Sequence, residues 1–241
     1  MKSAKFRSSA VHIAMTAILV MILSSCSIVH DAITTTGAED AAGLTQAEVG
    51  KLSVKEQFEL VEQRTEHLQE LLTETQEQVS TDQWTWVVKG AIPKSGNGAP
   101  GSVSGSTREN SYYLEAVRAV YQEGASGAQE DIEPMLSYFE SKGWEASVGE
   151  HTEGHAYLVR AETGDGYRLN YRVQPDGSYS VSVISEMFWG DYTALLAAVA
   201  DRIPDEAADV DESLPGVYIP FPQWDDPIHA PDLLNPYSGD E

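Results

Sequence analysis

Residues 156–189 read AYLVRAETGDGYRLNYRVQPDGSYSVSVISEMFW. Three apolar-rich runs, AYLVRAE, YRLNYRV and SYSVSVISEMFW, are separated by Gly164-Asp165-Gly166 and Pro175-Asp176-Gly177. Both separators put glycine where a tight turn needs positive φ, and Pro-Asp-Gly between two such runs is a strong hairpin signal. One run upstream completes the pattern. Trp144, Ala146 and Val148 alternate with polar residues, and HTEG at 151–154 turns the chain. The spacing predicts a four-strand antiparallel meander.

Helices and further strands are expected before and after the meander. Ser53-Val54-Lys55-Glu56 is a capping-box pattern. Phe58, Val61, Leu68, Leu72 and Val79 then fall near one face, with Thr65 continuing it, which predicts a long helix over 54–78. Glu59, Glu66, Glu70 and Glu77 form its solvated side; a coiled-coil seam on the apolar side would have to include Thr65. DQWTWVV at 82–88 alternates as a strand, with Trp84, Trp86 and Val88 on one face as either core or an aromatic binding surface. SYYLEAVRAVY at 111–121 fits a period of two and a period near four, and a strand is preferred. Residues 131–141 read as a helix with Ile132, Met135, Leu136 and Phe139 facing in, provided Pro134 lies in its first turn. Asp191 can cap a last helix carrying Leu195, Leu196 and Val199. The expected class is α+β. An antiparallel meander sheet of about five to six strands is packed by a long N-terminal helix and shorter helices over residues 53–203.

Motifs that could carry chemistry are sparse. Gly96-Asn97-Gly98-Ala99-Pro100-Gly101 has the form G-x-G-x-x-G after a strand, but Pro100 and SVSGST stand where a dinucleotide site needs a helix N-terminus. Residues 94–107 therefore read as a Gly/Ser loop. His151, Glu153 and His155 could in principle hold zinc, but they sit on a predicted turn rather than in a helical H-E-x-x-H. Asp205, Asp209, Asp211 and Glu212 lack the EF-hand glycine and glutamate, since those places fall on Leu214 and Pro220. GSVSG has Val103 where a nucleophile elbow needs serine. The expectation is no catalytic residue, no metal and no cofactor.

The chain opens with Lys2, Lys5 and Arg7, and a mostly apolar run follows from Ala10 to Leu23. That run is too short for the ~20 residues a spanning helix needs and suits the core of a secretory signal. Leu23-Ser24-Ser25-Cys26 then supplies the only cysteine. This arrangement resembles the lipobox of bacterial lipoproteins, over the first 26 residues. The resemblance implies cleavage between Ser25 and Cys26, so that 1–25 is a lipoprotein signal peptide. It also implies a diacylglyceryl anchor on Cys26 and a place on the outer face of the cell membrane. Residues 26–52, rich in Ala, Thr and Gly, then read as a flexible tether. The globular part resembles small uncharacterised actinobacterial cell-surface lipoproteins, which implies an extracytoplasmic α+β domain and no assigned activity.

Charge narrows the partners. The chain carries −23, and losing Lys2, Lys5 and Arg7 with the signal peptide would leave −26. This argues against nucleic acid. Residues 204–241 form an acidic, proline-rich tail. Within it GVYIPFPQW holds Tyr218, Phe221 and Trp224, which either pack on the domain or bind a partner. The expected function is a non-catalytic interaction or ligand-binding domain, meeting an envelope protein or small ligand through Trp84, Trp86, Tyr218, Phe221 or Trp224. An envelope hydrolase with dispersed carboxylates and a carrier of apolar ligands such as lipid are the alternatives.

Overall fold

A computed structural model describes residues 37–151, 156–207 and 209–229. Cys26 with its flanking signal, and most of HTEGH, lie outside the described residues. The meander forms as the turns dictate. Strands β5 (Glu145–His151), β6 (Ala156–Glu162), β7 (Tyr167–Val173) and β8 (Ser178–Ser185) pair antiparallel in sequence. Gly177 takes φ 82° in the Pro-Asp-Gly turn, and a Cβ there would stand 2.7 Å from the carbonyl oxygen of Gln122.

The sheet grows past β8 through β4 (Glu115–Tyr121) and β1 (Trp84–Lys89) to β10 (Glu212–Ser213). The full order is β10-β1-β4-β8-β7-β6-β5. The class is α+β with an antiparallel sheet, as the turn and alternation signals predict. The sheet has seven strands rather than five or six, because two residues of the acidic tail add an edge strand to β1. The preferred strand at 111–121 is real but broken at Leu114. Its first part, β3 (Ser111–Tyr113), leaves the main sheet to form a small ribbon with β2 (Lys94–Ser95) and β9 (Phe188–Trp189). The Gly/Ser loop is anchored through this ribbon, with the Gly96 N–H donating to Ser111 O at 2.9 Å and the Met187 N–H to Pro100 O at 3.0 Å.

One face of the sheet carries the core. Tyr167, Leu169, Tyr171 and Val173 of β7 and Tyr179, Val181 and Val183 of β8 are buried there. Helix α1 is a single turn at Gln46–Val49; helix α2 spans Val54–Glu77 and lies across this face. Its start is fixed by the predicted capping box, with Ser53 and Glu56 each bonding the other's backbone. Phe58, Val61, Thr65, Leu68 and Leu72 are all buried, so the stripe faces the sheet and not a second helix. Glu59, Glu66, Glu70 and Glu77 stay exposed. Helix α3 (Glu133–Ser141), with Pro134 in its first turn, covers β5 and β6; helix α4 (Tyr192–Ala200), capped by Asp191, packs beside α2. On the opposite face, Arg168, Asn170, Arg172, Ser178, Ser180 and Ser182 alternate with the buried positions and reach solvent to differing degrees.

The folded unit begins at Ala38 rather than 53, and extends past 203. Asp40 explains the early start. Its buried carboxylate accepts from the N–H groups of Ala42 at 2.9 Å, Leu44 at 3.0 Å and Trp189 at 3.0 Å, and lies 3.8 Å from Arg64 Nη2. Arg64 in turn donates to the Tyr112 hydroxyl at 2.5 Å and stacks 4.0 Å over Phe188. Residues 38–52 are therefore built into the domain and are not tether.

Candidate functional site

Residues 214–229 follow β10 as a strap along α2. Pro215, Pro220, Pro222 and Pro227 deny it the regular N–H pattern of a strand or helix. It is held instead by side chains. The Tyr218 hydroxyl donates to Gln69 O at 2.8 Å and lies 2.7 Å from Thr73 Oγ1. Phe221 and Trp224 place their ring centroids 5.2 and 5.4 Å from that of Phe58. Arg202 Nε donates to Trp224 O at 2.9 Å, and the His229 N–H to Asp201 O at 2.6 Å. Tyr218, Phe221 and Trp224 of GVYIPFPQW thus pack on the domain.

Arg118 fastens the root of the strap. Its side chain comes from β4 on the core face and is fully buried. Nη2 donates to Trp84 O at 2.8 Å, Ser213 O at 2.6 Å and Ser213 Oγ at 2.7 Å, while the guanidinium stacks 4.0 Å over Trp86. Ser213 Oγ passes the contact on, donating to Val217 O at 2.7 Å. Among the described residues no carboxylate lies within ion-pair distance of Arg118, and burial pulls its pKa down to about 10. Burial pushes the Tyr218 hydroxyl up, opposed by its hydrogen bond to Thr73 and by the charge of Arg118.

Between the strap and the turn after α4 lies a pocket of about 440 Å³. Trp86 forms its wall on the sheet side, Tyr218, Pro220 and Phe221 that of the strap, and Pro204, Ala207 and Val210 the opposite side; Arg202, Glu206 and Asp226 add charge. Its size matches sites for small organic molecules. Trp86 is 9% exposed, and its indole N–H is buried with no hydrogen-bond partner.

Five aromatics were singled out by sequence, and the structure separates them. Trp86, Tyr218 and Phe221 converge on the pocket. Trp84 does not: it is fully buried, with Nε1 donating to Ser80 O at 3.0 Å, so it is core and not a recognition residue. Trp224 packs on Phe58 and under Arg202, 4.7 Å from its guanidinium, and lies outside the pocket lining. Pro204, Ala207, Val210 and Arg202 complete the pocket without a local signal in sequence, because each matters only once the strap lies across from it.

A second cleft of about 390 Å³ lies beside the ribbon and brings two carboxylates, Glu109 and Asp191, together with Gln46, Gln57 and Asn110. One oxygen of Asp191 is committed to the Ala194 N–H at 3.0 Å as the cap of α4. Among the described residues, no three His, Cys, Asp or Glu side chains converge to hold a metal ion, and no helix is long and apolar enough to cross a membrane.

Fold and site together define an α+β domain with helices on one face of an antiparallel sheet and an apolar pocket under a C-terminal strap. No family model matches the chain, and no curated protein or solved structure matches it significantly.

Proposed function

We propose that this chain is a membrane-anchored extracytoplasmic lipoprotein whose domain binds a small, largely apolar ligand under its C-terminal strap, without catalysis. The observation that carries the binding reading is the convergence of Trp86, Tyr218 and Phe221 on a 440 Å³ pocket. The anchor rests on the lipobox and Cys26 alone. Two acyl chains on that thiol would hold the protein stably, because each buried methylene contributes about 0.8 kcal/mol. Binding is tested with the neutral fluorophore N-phenyl-1-naphthylamine. Its fluorescence should rise saturably with the wild-type protein and should not with Val217→Trp, which fills the pocket mouth from a position 52% exposed. Tyr121→Trp, exposed on the other face, is the control. Equal binding by Val217→Trp and wild type would refute the site. For the anchor, wild type should incorporate labelled fatty acid and Cys26→Ala should not; labelling of both, or of neither, would overturn it.

The pairing of Glu109 with Asp191 in one cleft supports a second reading, an envelope hydrolase. Asp191→Asn keeps the capping oxygen while removing the carboxylate. A chromogenic ester or glycoside cleaved by wild type and not by this variant would favour the enzyme over the binding domain.

A further inference from the structure

We propose that the helix-free face of the sheet holds a site for a compact dianion of the phosphate type, centred on Arg160 and Arg172. The argument starts from register. Arg160 on β6 lies opposite Asn170 on β7, and Asn170 opposite Ser182 on β8; one step along, Leu158 lies opposite Arg172 and Arg172 opposite Ser180. The two arginines are therefore diagonal neighbours on one face, about 7–8 Å apart at the backbone, within reach of a shared ligand for side chains this long.

Their surroundings are arranged for an anion. Arg160 Nε donates to Asn170 Oδ1 at 3.1 Å, and Asn170 Nδ2 donates to Ser182 Oγ at 3.0 Å. This ladder orients the guanidinium of Arg160 through Nε and leaves both terminal nitrogens to bind two oxygens at once. No carboxylate among the described residues pairs with Arg160 or Arg172. The neighbouring Arg168 is paired, its Nε 2.7 Å from Glu162 Oε1. Small side chains beside the arginines, Ser180, Ser182 and Ala156, leave a concavity of about 350 Å³. In a chain of net charge −23, two neighbouring arginines without a carboxylate partner among the described residues stand beside a hollow to which Ser180 and Ser182 contribute hydroxyls.

The same net charge selects a compact, soluble ligand. Fields are screened within about 8 Å at physiological salt. A small dianion in the hollow feels chiefly the two arginines. An extended polyanion or an anionic bilayer would also meet the acidic surface beyond them, where like charges repel.

The test is a titration of the soluble domain, from Ala38 to the C-terminus, followed by amide NMR at pH 7.5. Inorganic phosphate is compared with chloride at matched ionic strength. Phosphate should move the amides of Arg160, Asn170, Arg172, Ser180 and Ser182 saturably, and chloride should not. Arg160→Gln with Arg172→Gln should weaken phosphate at least about tenfold, as expected when two charge-assisted contacts are lost. Ser180→Asp, which adds a charge without removing either arginine, should weaken it as well, with the rest of the spectrum unchanged. Absence of saturable shifts on this face, or unaltered affinity in both variants, would overturn the site. Binding to phosphatidylglycerol vesicles that persists in saturating phosphate would overturn the compact-ligand assignment, because the bilayer would then be the occupant.

Discussion

Asp40 shows how much of the fold can depend on one side chain. Its carboxylate accepts from two N–H groups of its own turn and from the distant Trp189 N–H, and it faces Arg64 of α2, both side chains being buried. Removing one member of a buried pair leaves the other charge without compensation, at a cost of about 3–5 kcal/mol. Asp40→Asn should therefore lower the urea midpoint by an amount worth about 3 kcal/mol, with the slope unchanged. A change below 0.5 kcal/mol, on the order of an ordinary surface substitution, would show that residues 38–52 are not held as described. Nothing in the sequence announces Asp40. It stands in a stretch rich in Ala, Thr and Gly, and its partners are 24 and 149 positions away, at Arg64 and Trp189. Arg118 was equally hidden, because a single arginine in EAVRAVY gives no sign that it faces the core.

At the scale of elements, legibility follows how local the determining contacts are. The meander and α2 are set by turns, caps and periodicity within a few residues, and their bounds were readable to within a residue or a few. The strap was only half readable. Its aromatics marked it as apolar, but its course depends on α2, β1 and the turn after α4. Tyr218 is the joint between strap and helix, through its bonds to Gln69 and Thr73. Tyr218→Phe keeps the ring and removes both bonds, and should cost about 1 kcal/mol. Hydrogen exchange should localise the effect. Amides of β10 and its partner β1 should exchange faster, while those of β6 and β7 stay protected. Uniform loss of protection across the sheet would contradict a strap that can loosen by itself.

The whole molecule carries a pH signature. Tyr112, Tyr138, Tyr167, Tyr171, Tyr179 and Tyr218 all have hydroxyls pushed up by burial, Tyr179 to about 12 with help from Asp131. Unfolded tyrosine titrates near pH 10. Between pH 10 and 12 the native chain thus holds more tyrosine protons than the unfolded chain, and stability falls as pH rises. Arg118 acts in the opposite sense. Its native pKa of about 10 lies below its unfolded value, so its burial cost is relieved over the same interval. Six tyrosines outweigh one arginine. The urea midpoint should hold from pH 8 to 9.5 and drop steeply above 10, with the tyrosinate absorbance of these six rising together with unfolding. Full tyrosine titration near pH 10 with the fold intact would contradict the burial described.

The central claim, a ligand pocket under the strap with Trp86 as its wall, is met most directly at the Trp86 indole. Five tryptophans give five indole N–H resonances. Those of Trp84 and Trp189 are bonded to Ser80 and Ala38 carbonyls, whereas that of Trp86 has no partner. Titration with N-phenyl-1-naphthylamine should move the Trp86 indole resonance saturably and leave those of Trp84 and Trp189 in place. A Trp86 resonance that stays fixed at saturating probe, or indole resonances that all shift together, would contradict the account.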